Sequence, residues 1–233
     1  MLHRGTLNIL CGAPSAGKTT LTLQAVHAHE IGLPFFVDVL RFPPGPIVYV
    51  STDRPDDDLR RLVLDPMGIS KMNVISTVLD RSFNPIAHNP AAMRKAITDR
   101  ISSLGAGTLI LDLYNDFIHG RMADAKLLSQ DGRLNVQWAR DLNCAILGLW
   151  YPFKQRQNAQ AKRVQDRIAG ALALQASANW KMNIIDPAES HDEFWIVDVV
   201  PGPGEGPPRS YQLVRGNDPI GLFSLHGPDD TVV

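Results

Sequence analysis

The chain has 233 residues, of which 44% are hydrophobic and 20% charged, so it is long enough for one well-packed core and a small appendage. Its formal net charge of -1 gives no overall field that attracts nucleic acid or an anionic membrane, so such a partner requires a local basic patch. The two cysteines lie in apolar runs, which argues against a disulfide, and the seven histidines are scattered, which argues against a zinc site. The sequence has no apolar run long enough to span a membrane and no N-terminal segment that resembles a signal peptide. We therefore expect a cytoplasmic protein without a membrane partner.

Strands and helices alternate through most of the predicted structure. Short apolar runs are typical of buried parallel strands, and longer segments with apolar residues at helical spacing predict helices. The predicted strands cover residues 7–11, 47–52, 108–113 and 144–151. The predicted helices cover residues 18–31, 90–104 and 123–142, and the acidic run Asp56, Asp57 and Asp58 opens another. This alternation indicates a parallel α/β sheet with right-handed crossovers.

The pattern changes after about residue 178. The segments WKMNIID, FWIVDVV, RSYQLVR and GLFSL follow, with turn residues between them. We interpret residues 179–226 as an antiparallel β-meander that extends the sheet of a core covering about residues 5–178. The sequence shows no repeat, coiled coil or linker, so we expect one domain over residues 1–233.

Residues 12–19, GAPSAGKT, match the phosphate-binding pattern G-x-x-x-x-G-K-[ST], with a predicted strand before them and a predicted helix after them. Glycines let such a loop fold back so that its N–H groups converge on a β-phosphate at the positive end of a helix. Lys18 can then reach the β- and γ-phosphate oxygens, and the Thr19 hydroxyl can bind Mg²⁺. The predicted nucleotide-binding residues, for ATP as substrate with Mg²⁺ as cofactor, are Gly12, Ala13, Pro14, Ser15, Ala16, Gly17, Lys18, Thr19 and Thr20.

Two aspartates end predicted strands, where ligands of parallel sheets bind. Asp112 ends the run TLILD and is the candidate carboxylate for Mg²⁺, together with Thr19. Asp53 ends the run IVYVSTD and is the candidate group that orients the attacking water. Each aspartate has the alternative interpretation of a helix cap or turn former. With Lys18, the two aspartates form the predicted catalytic set.

This order of motifs resembles the RecA-type ATPase core. More narrowly, nearly the whole chain is similar to the minimal single-domain RepA-like hexameric helicases of plasmids and to phage RecA/RadA-like ATPases, so a phage or plasmid origin is expected. The resemblance implies a RecA-like P-loop NTPase fold, with a mainly parallel sheet flanked by helices and a C-terminal antiparallel β extension. It also implies assembly into a homo-oligomeric ring or filament. The family usually has Glu where this chain has Asp53, which is one methylene shorter.

The resemblance implies further site residues at the end of the next strand. Family members carry a γ-phosphate sensor there, and this chain has Tyr151 at that position, which is either such a sensor or an aromatic residue that closes the strand. Asn115 and Asp116 fall where family members often line the active site.

The segment KQRQNAQAKRVQDR, residues 154–167, has a local charge of +4 and occupies the position of the DNA-binding loop of RecA-type proteins. Such a segment can bind the backbone of single-stranded DNA, although a solvated surface loop can have the same composition. The predicted DNA-binding residues are Lys154, Arg156, Lys162, Arg163 and Arg167.

RecA-type ATPases complete their active sites with a Lys or Arg finger from the next subunit, often in a K-x-R pattern. This chain has a proline- and glycine-rich loop, PGPGEGPP, in that region instead. The candidate fingers are Arg209 and Arg215, and each has the alternative interpretation of a surface arginine on a hairpin.

From the motifs and the resemblance we expect an ATP-hydrolysing, single-stranded-DNA-dependent RecA-like ATPase in DNA replication or recombination, a helicase or recombinase-like motor. One alternative is a small-molecule kinase with the same loop, which the β-rich C-terminal third disfavours. The other alternative is a nucleotide-gated DNA-binding or assembly protein with little hydrolysis. The shortened acid Asp53 and the lack of the usual finger pattern favour this last alternative.

Overall fold

We describe the fold from a computed structural model of the chain. It describes residues 2–35, 40–52, 54–76, 90–117, 125–151, 178–187, 194–217 and 221–226. The strands are β1 Leu7–Cys11, β2 Ile47–Ser51, β3 Asn73–Ser76, β4 Thr108–Asp112, β5 Ala145–Trp150, β6 Lys181–Ile185, β7 Trp195–Val200, β8 Arg209–Arg215 and β9 Phe223–Leu225. The helices are α1 Lys18–Ile31, α2 Asp56–Leu59 with a π-helical continuation Arg60–Leu64, α3 Pro90–Leu104 and α4 Ala125–Asp141, and a 3₁₀ turn Tyr114–Phe117 follows β4.

The described strands form one sheet in the order β3-β2-β4-β5-β1-β6-β7-β8-β9. The strands from β3 to β6 in this order run parallel, and β6, β7, β8 and β9 pair antiparallel. Ser51 of β2 pairs with Asp112 of β4, and Cys11 of β1 pairs with Trp150 of β5. The C-terminal ends of these strands therefore meet at one edge, which we call the carboxyl edge. The parallel core with its antiparallel extension confirms the predicted fold class.

Buried apolar side chains cover both faces of the sheet because successive residues of a strand point to opposite sides. Apolar residues of α1 and of the helical segment 56–64 form one cluster with strand residues such as Leu10 and Ile110. Residues of α3 and α4 form a second cluster with strand residues such as Ile9 and Leu111. Burial on two faces explains why the central strands are continuous apolar runs. In the parts of the chain that the structure describes, no helix is long and apolar enough to cross a bilayer.

The edge strand β3 has no counterpart in the sequence-based prediction. Its four residues are half-buried, and it pairs in parallel with β2 from Val48–Asn73 to Ser51–Ser76. A run of four residues is too short for a reliable alternation pattern. The strand is defined by its pairing with β2, which is a tertiary contact that the local sequence does not reveal.

Candidate functional site

The loop Gly12–Gly17 joins the C-terminal end of β1 to the first turn of α1 at the carboxyl edge. Ser15 and Gly17 have left-handed backbone conformations, with φ of 66° and 96°, and Ala16 between them does not. Alternating right- and left-handed residues direct successive N–H groups toward one side and form a concave anion site. Gly17 is also the N-cap of α1, so the positive end of the helix dipole lies at this loop. The loop has the backbone that phosphate binding requires.

The two motif glycines lie against the C-terminal extension of the sheet. A Cβ atom on Gly12 would lie 2.6 Å from both Cγ2 and the carbonyl oxygen of Ile184 in β6. A Cβ atom on Gly17 would lie 2.6 Å from Cε2 of Phe223 in β9. Gln24 of α1 fixes Phe223, because its Nε2 donates to the Phe223 carbonyl at 2.9 Å and its Oε1 accepts from the Phe223 N–H at 2.9 Å. The phosphate-binding loop therefore depends on β6 and β9 for its position.

We expect Gly12→Ala to destabilise the chain by about 1–3 kcal/mol, the usual cost of overpacking, and to weaken ATP binding. The side chain of Ile184 can adjust, but its carbonyl belongs to a strand held between β1 and β7 and cannot move as easily. Urea unfolding measures the free energy of unfolding, and titration with a fluorescent ATP analogue measures binding.

Gly204→Ala is the matched control for Gly12→Ala. Gly204 has a positive φ of 82°, but nothing lies within 4 Å of the position that a Cβ atom would occupy, so the substitution introduces backbone strain without a clash. We expect it to cost about 1 kcal/mol and to leave ATP binding unchanged. Equal ATP binding by Gly12→Ala and the parent chain would contradict the assigned packing of the loop.

Lys18 is the buried cation of the site, with a relative exposure of 3%. Its Nζ donates hydrogen bonds to the carbonyls of Gly12 and Ala13, both at 2.7 Å. The ring of Tyr151 covers the same ammonium, with its centroid 3.7 Å from Nζ. The lysine is therefore held inside the loop, next to the concave anion site.

Thr19 and Asp112 lie together, as the sequence predicts. The Thr19 hydroxyl donates to Asp112 Oδ2 at 2.8 Å, and the Tyr49 hydroxyl of β2 donates to the same oxygen. Tyr49 was not predicted to belong to the site. It pairs with Ile110 in the β2–β4 register, which brings its ring near Asp112 two residues further along β4. The buried carboxylate is thus oriented by two hydroxyl groups.

The chain between β2 and α2 is attached to the end of β4. The Thr52 N–H donates to the Asp112 carbonyl at 2.7 Å, and the Leu113 N–H donates to Thr52 Oγ1 at 2.8 Å. Asp53 itself lies outside the described residues, so its predicted catalytic role stays a prediction. The residue before it is nevertheless held against the strand that carries Asp112.

Tyr151 is held at the end of β5 by the side chain of Asn115. The Asn115 Oδ1 accepts from the Tyr151 N–H at 3.1 Å, and its Nδ2 donates to the Tyr151 carbonyl at 3.4 Å. Asp116, the other polar residue predicted near the site, is exposed. The role of the Tyr151 hydroxyl as a γ-phosphate sensor stays a prediction.

The two candidate finger arginines lie at opposite ends of the same strand, β8. Arg209 begins β8 and is exposed, at the edge opposite the phosphate-binding loop. Arg215 ends β8 at the carboxyl edge, where its Nε donates to the Gly221 carbonyl at 3.2 Å and its guanidinium lies 5.8 Å from the Phe223 ring centroid. The predicted DNA-binding residues 154–167 lie outside the described residues.

Cys11 ends β1 directly before the loop, but it does not supply a thiolate. Burial raises the pKa of its thiol to about 12, although the positive charge of Lys18 lowers it in part. The thiol is therefore neutral at physiological pH, which agrees with a packing role for Cys11 and not with a nucleophilic one.

The residues at the carboxyl edge fit Mg²⁺ and a nucleoside triphosphate. The Thr19 hydroxyl and the Asp112 carboxylate are hard oxygen ligands of the kind that Mg²⁺ prefers, and they are already in contact. The left-handed residues Ser15 and Gly17 give the loop the backbone of an anion site, and Lys18 supplies a positive charge for phosphate oxygens.

Residues 1–157, about two thirds of the chain, match the family model AAA_25, described as AAA domain. The chain belongs to this AAA domain family. Its structure is similar to that of a KaiC-like protein of the hyperthermophilic archaeon Pyrococcus horikoshii OT3, with a TM-score of 0.61 and 15% sequence identity over 96% of this chain and 90% of that chain. At this identity the likeness concerns the fold alone. A search of curated protein sequences gives no match.

The AAA domain match and the shared fold agree with the predicted RecA-like P-loop fold. P-loop ATPases generally use Mg²⁺ and ATP. The matched residues include the phosphate-binding loop, Asp112 and Tyr151. Ile184 and Phe223, which pack against the loop glycines, lie beyond the AAA domain match.

Proposed function

We propose that this chain hydrolyses ATP in a manner that depends on single-stranded DNA, as a motor in DNA replication or recombination. Its resemblance to RepA-like plasmid helicases and phage RecA/RadA-like ATPases supports this role. The observation that carries the proposal is the cluster of Lys18, Thr19 and Asp112 at the carboxyl edge, beside a loop whose backbone can hold phosphate.

Lys18 and the loop N–H groups bind the phosphate chain and stabilise the negative charge that develops as the γ-phosphoryl group is transferred to water and ADP leaves. Thr19 and Asp112 are the residues that would hold Mg²⁺, and the ion would supply positive charge for the phosphate oxygens. Tyr49 keeps the Asp112 carboxylate in place through its hydroxyl group. These residues account for binding and charge stabilisation.

Asp53 orients the attacking water in this proposal. The support is its place in the chain directly after Thr52, whose N–H donates to the Asp112 carbonyl and whose Oγ1 accepts from the Leu113 N–H. Because aspartate is one methylene shorter than the usual glutamate, we expect slow hydrolysis in the absence of DNA.

DNA binding by residues 154–167 is the second part of the proposal. The support is the positive charge of this segment and its place in the chain, three residues after Tyr151, whose ring contacts Lys18. A homo-oligomeric ring or filament would let one subunit contribute an arginine to the site of the next. Arg215 and Arg209 are the candidates for that role.

The deciding experiment measures ATP turnover by the parent chain with and without single-stranded DNA, together with the mass of the assembly formed with ATP. We expect DNA to stimulate turnover and ATP to promote assembly. Phosphate transfer to a small acceptor would indicate a kinase. ATP binding without turnover would indicate a nucleotide-gated binding protein.

Neutralising two cations of the basic segment tests the DNA interaction directly. We expect Lys162→Gln with Arg163→Gln to weaken binding of single-stranded DNA and to lower the slope of log K against log salt by about 1.4, since each single-strand phosphate contact contributes about 0.7. Fluorescence anisotropy over a series of salt concentrations measures the slope, and ATP affinity should not change.

Lys95→Gln with Arg133→Gln removes the same charge from exposed positions on α3 and α4 and serves as the control. We expect this variant to keep the salt slope of the parent chain. Parent-like DNA binding by the Lys162/Arg163 variant would show that the basic segment is not the DNA-binding element.

A further inference from the structure

We infer that Asn115 is a positioning residue for nucleotide binding, because its side chain holds the Tyr151 ring on the Lys18 ammonium. The inference rests on the proposed function and adds to it a specific role for Asn115 and for the ring of Tyr151. Three contacts carry it: the two hydrogen bonds between Asn115 and the Tyr151 backbone, and the 3.7 Å contact between Nζ and the ring centroid.

The turn that carries Asn115 is held in place by its neighbour Tyr114, which packs against β5 and is hydrogen-bonded to α4. Tyr114 is fully buried, and its ring lies so close to β5 that a Cβ atom on Gly148 would be 2.7 Å from it. Its hydroxyl accepts a hydrogen bond at 2.5 Å from Nδ2 of Asn135 in α4. The Asn135 Oδ1 accepts in turn from Arg94 of α3 at 2.7 Å. The position of Asn115 is thus fixed by both helices of that face.

The ring contact and phosphate binding are compatible. The Lys18 ammonium donates to two backbone carbonyls, and a phosphate oxygen is an acceptor of the same kind that can replace them. The ring attracts the ammonium through its π face, so the contact can persist when the acceptors change. A lysine that is already ordered loses less side-chain entropy when the nucleotide binds.

We test the inference by measuring ATP affinity and the kinetics of turnover for Asn115→Ala, Tyr151→Leu and the double variant. We expect each single variant to weaken ATP binding by about three- to tenfold, the range for a partly buried cation–π contact, and we expect Asn115→Ala to raise KM by a larger factor than it lowers kcat. The double variant should bind no more weakly than Tyr151→Leu, because both substitutions remove the same contact.

Tyr151→Phe separates the ring from the hydroxyl group. Phenylalanine keeps the π face, so we expect it to retain most of the affinity that leucine loses. Asn73→Ala is the matched asparagine control. Asn73 lies at the start of the edge strand β3, away from the phosphate-binding loop, and its Oδ1 accepts a hydrogen bond from Arg100. Urea unfolding of each variant verifies the fold.

The inference is overturned if Asn115→Ala binds ATP like the parent chain, if the two single effects multiply in the double variant, or if Tyr151→Phe binds as weakly as Tyr151→Leu. If Asn115→Ala does not fold, equal affinities of the leucine and phenylalanine variants still overturn it. If the parent chain binds no ATP, the proposed function fails and the inference fails with it. If the parent binds ATP and Asn115→Ala binds it with the same affinity, the inference alone fails.

Discussion

Lys18→Ala should lower ATP turnover by at least about a hundredfold, which is the usual effect of removing one group that stabilises transition-state charge. The ammonium is buried within the phosphate-binding loop and is the cation positioned to meet the phosphate oxygens. Alanine is a good helix former at this position in the first turn of α1, so the fold should persist. Steady-state turnover and the free energy of unfolding are the two measurements.

Lys95→Ala is the matched lysine control, because Lys95 lies exposed on α3 and pairs with Asp99. We expect it to keep the turnover of the parent chain, since surface ion pairs contribute little to stability. If Lys18→Ala retained a tenth or more of the parent turnover, hydrolysis would not occur at this loop. Reduced turnover with a matching loss of folded protein would instead indicate a structural role.

Asp112→Asn should also lower turnover by about a hundredfold or more, because it removes the negative charge that we assign to Mg²⁺ binding. The asparagine carbonyl can still accept hydrogen bonds from Thr19 and Tyr49, so the substitution preserves most of the local structure. Mg²⁺ titrations of ATP turnover should show a much higher concentration at half-maximal rate.

Asp116→Asn provides the comparison, since Asp116 lies on the same turn but is exposed. We expect a Mg²⁺ dependence like that of the parent chain. Unaltered Mg²⁺ dependence in Asp112→Asn would exclude Asp112 as the metal carboxylate. EDTA should abolish turnover by the parent chain, in agreement with the same assignment.

Much of the fold could be predicted from the sequence because its signals are local. The apolar run at residues 7–11, the glycines that follow and the helical spacing from Lys18 each depend on neighbouring residues, and α1 has the predicted bounds. The β-meander was predictable from its turn residues. β3 was not, because only its pairing with β2 distinguishes it from a loop.

The candidate site was predictable where a motif defines it and not where distant strands meet. The contact between Thr19 and Asp112 follows from two motifs at the same sheet edge. The role of Tyr49 depends on the β2–β4 register, and the ring contact of Tyr151 depends on the pairing of Cys11 with Trp150. Neither register is encoded in a short stretch of sequence.

The contact between Phe223 and Gly17 has a practical consequence for anyone who truncates this chain. A fragment that stops at residue 157, where the family match ends, would lack β6 and β9, so Gly12 and Gly17 would lose their supporting side chains and Gln24 would lose its backbone partner. We therefore expect the matched segment alone not to keep the phosphate-binding loop in place. We expect nucleotide binding to require the full sheet, because the last strand, β9, packs against the loop that follows the first strand, β1.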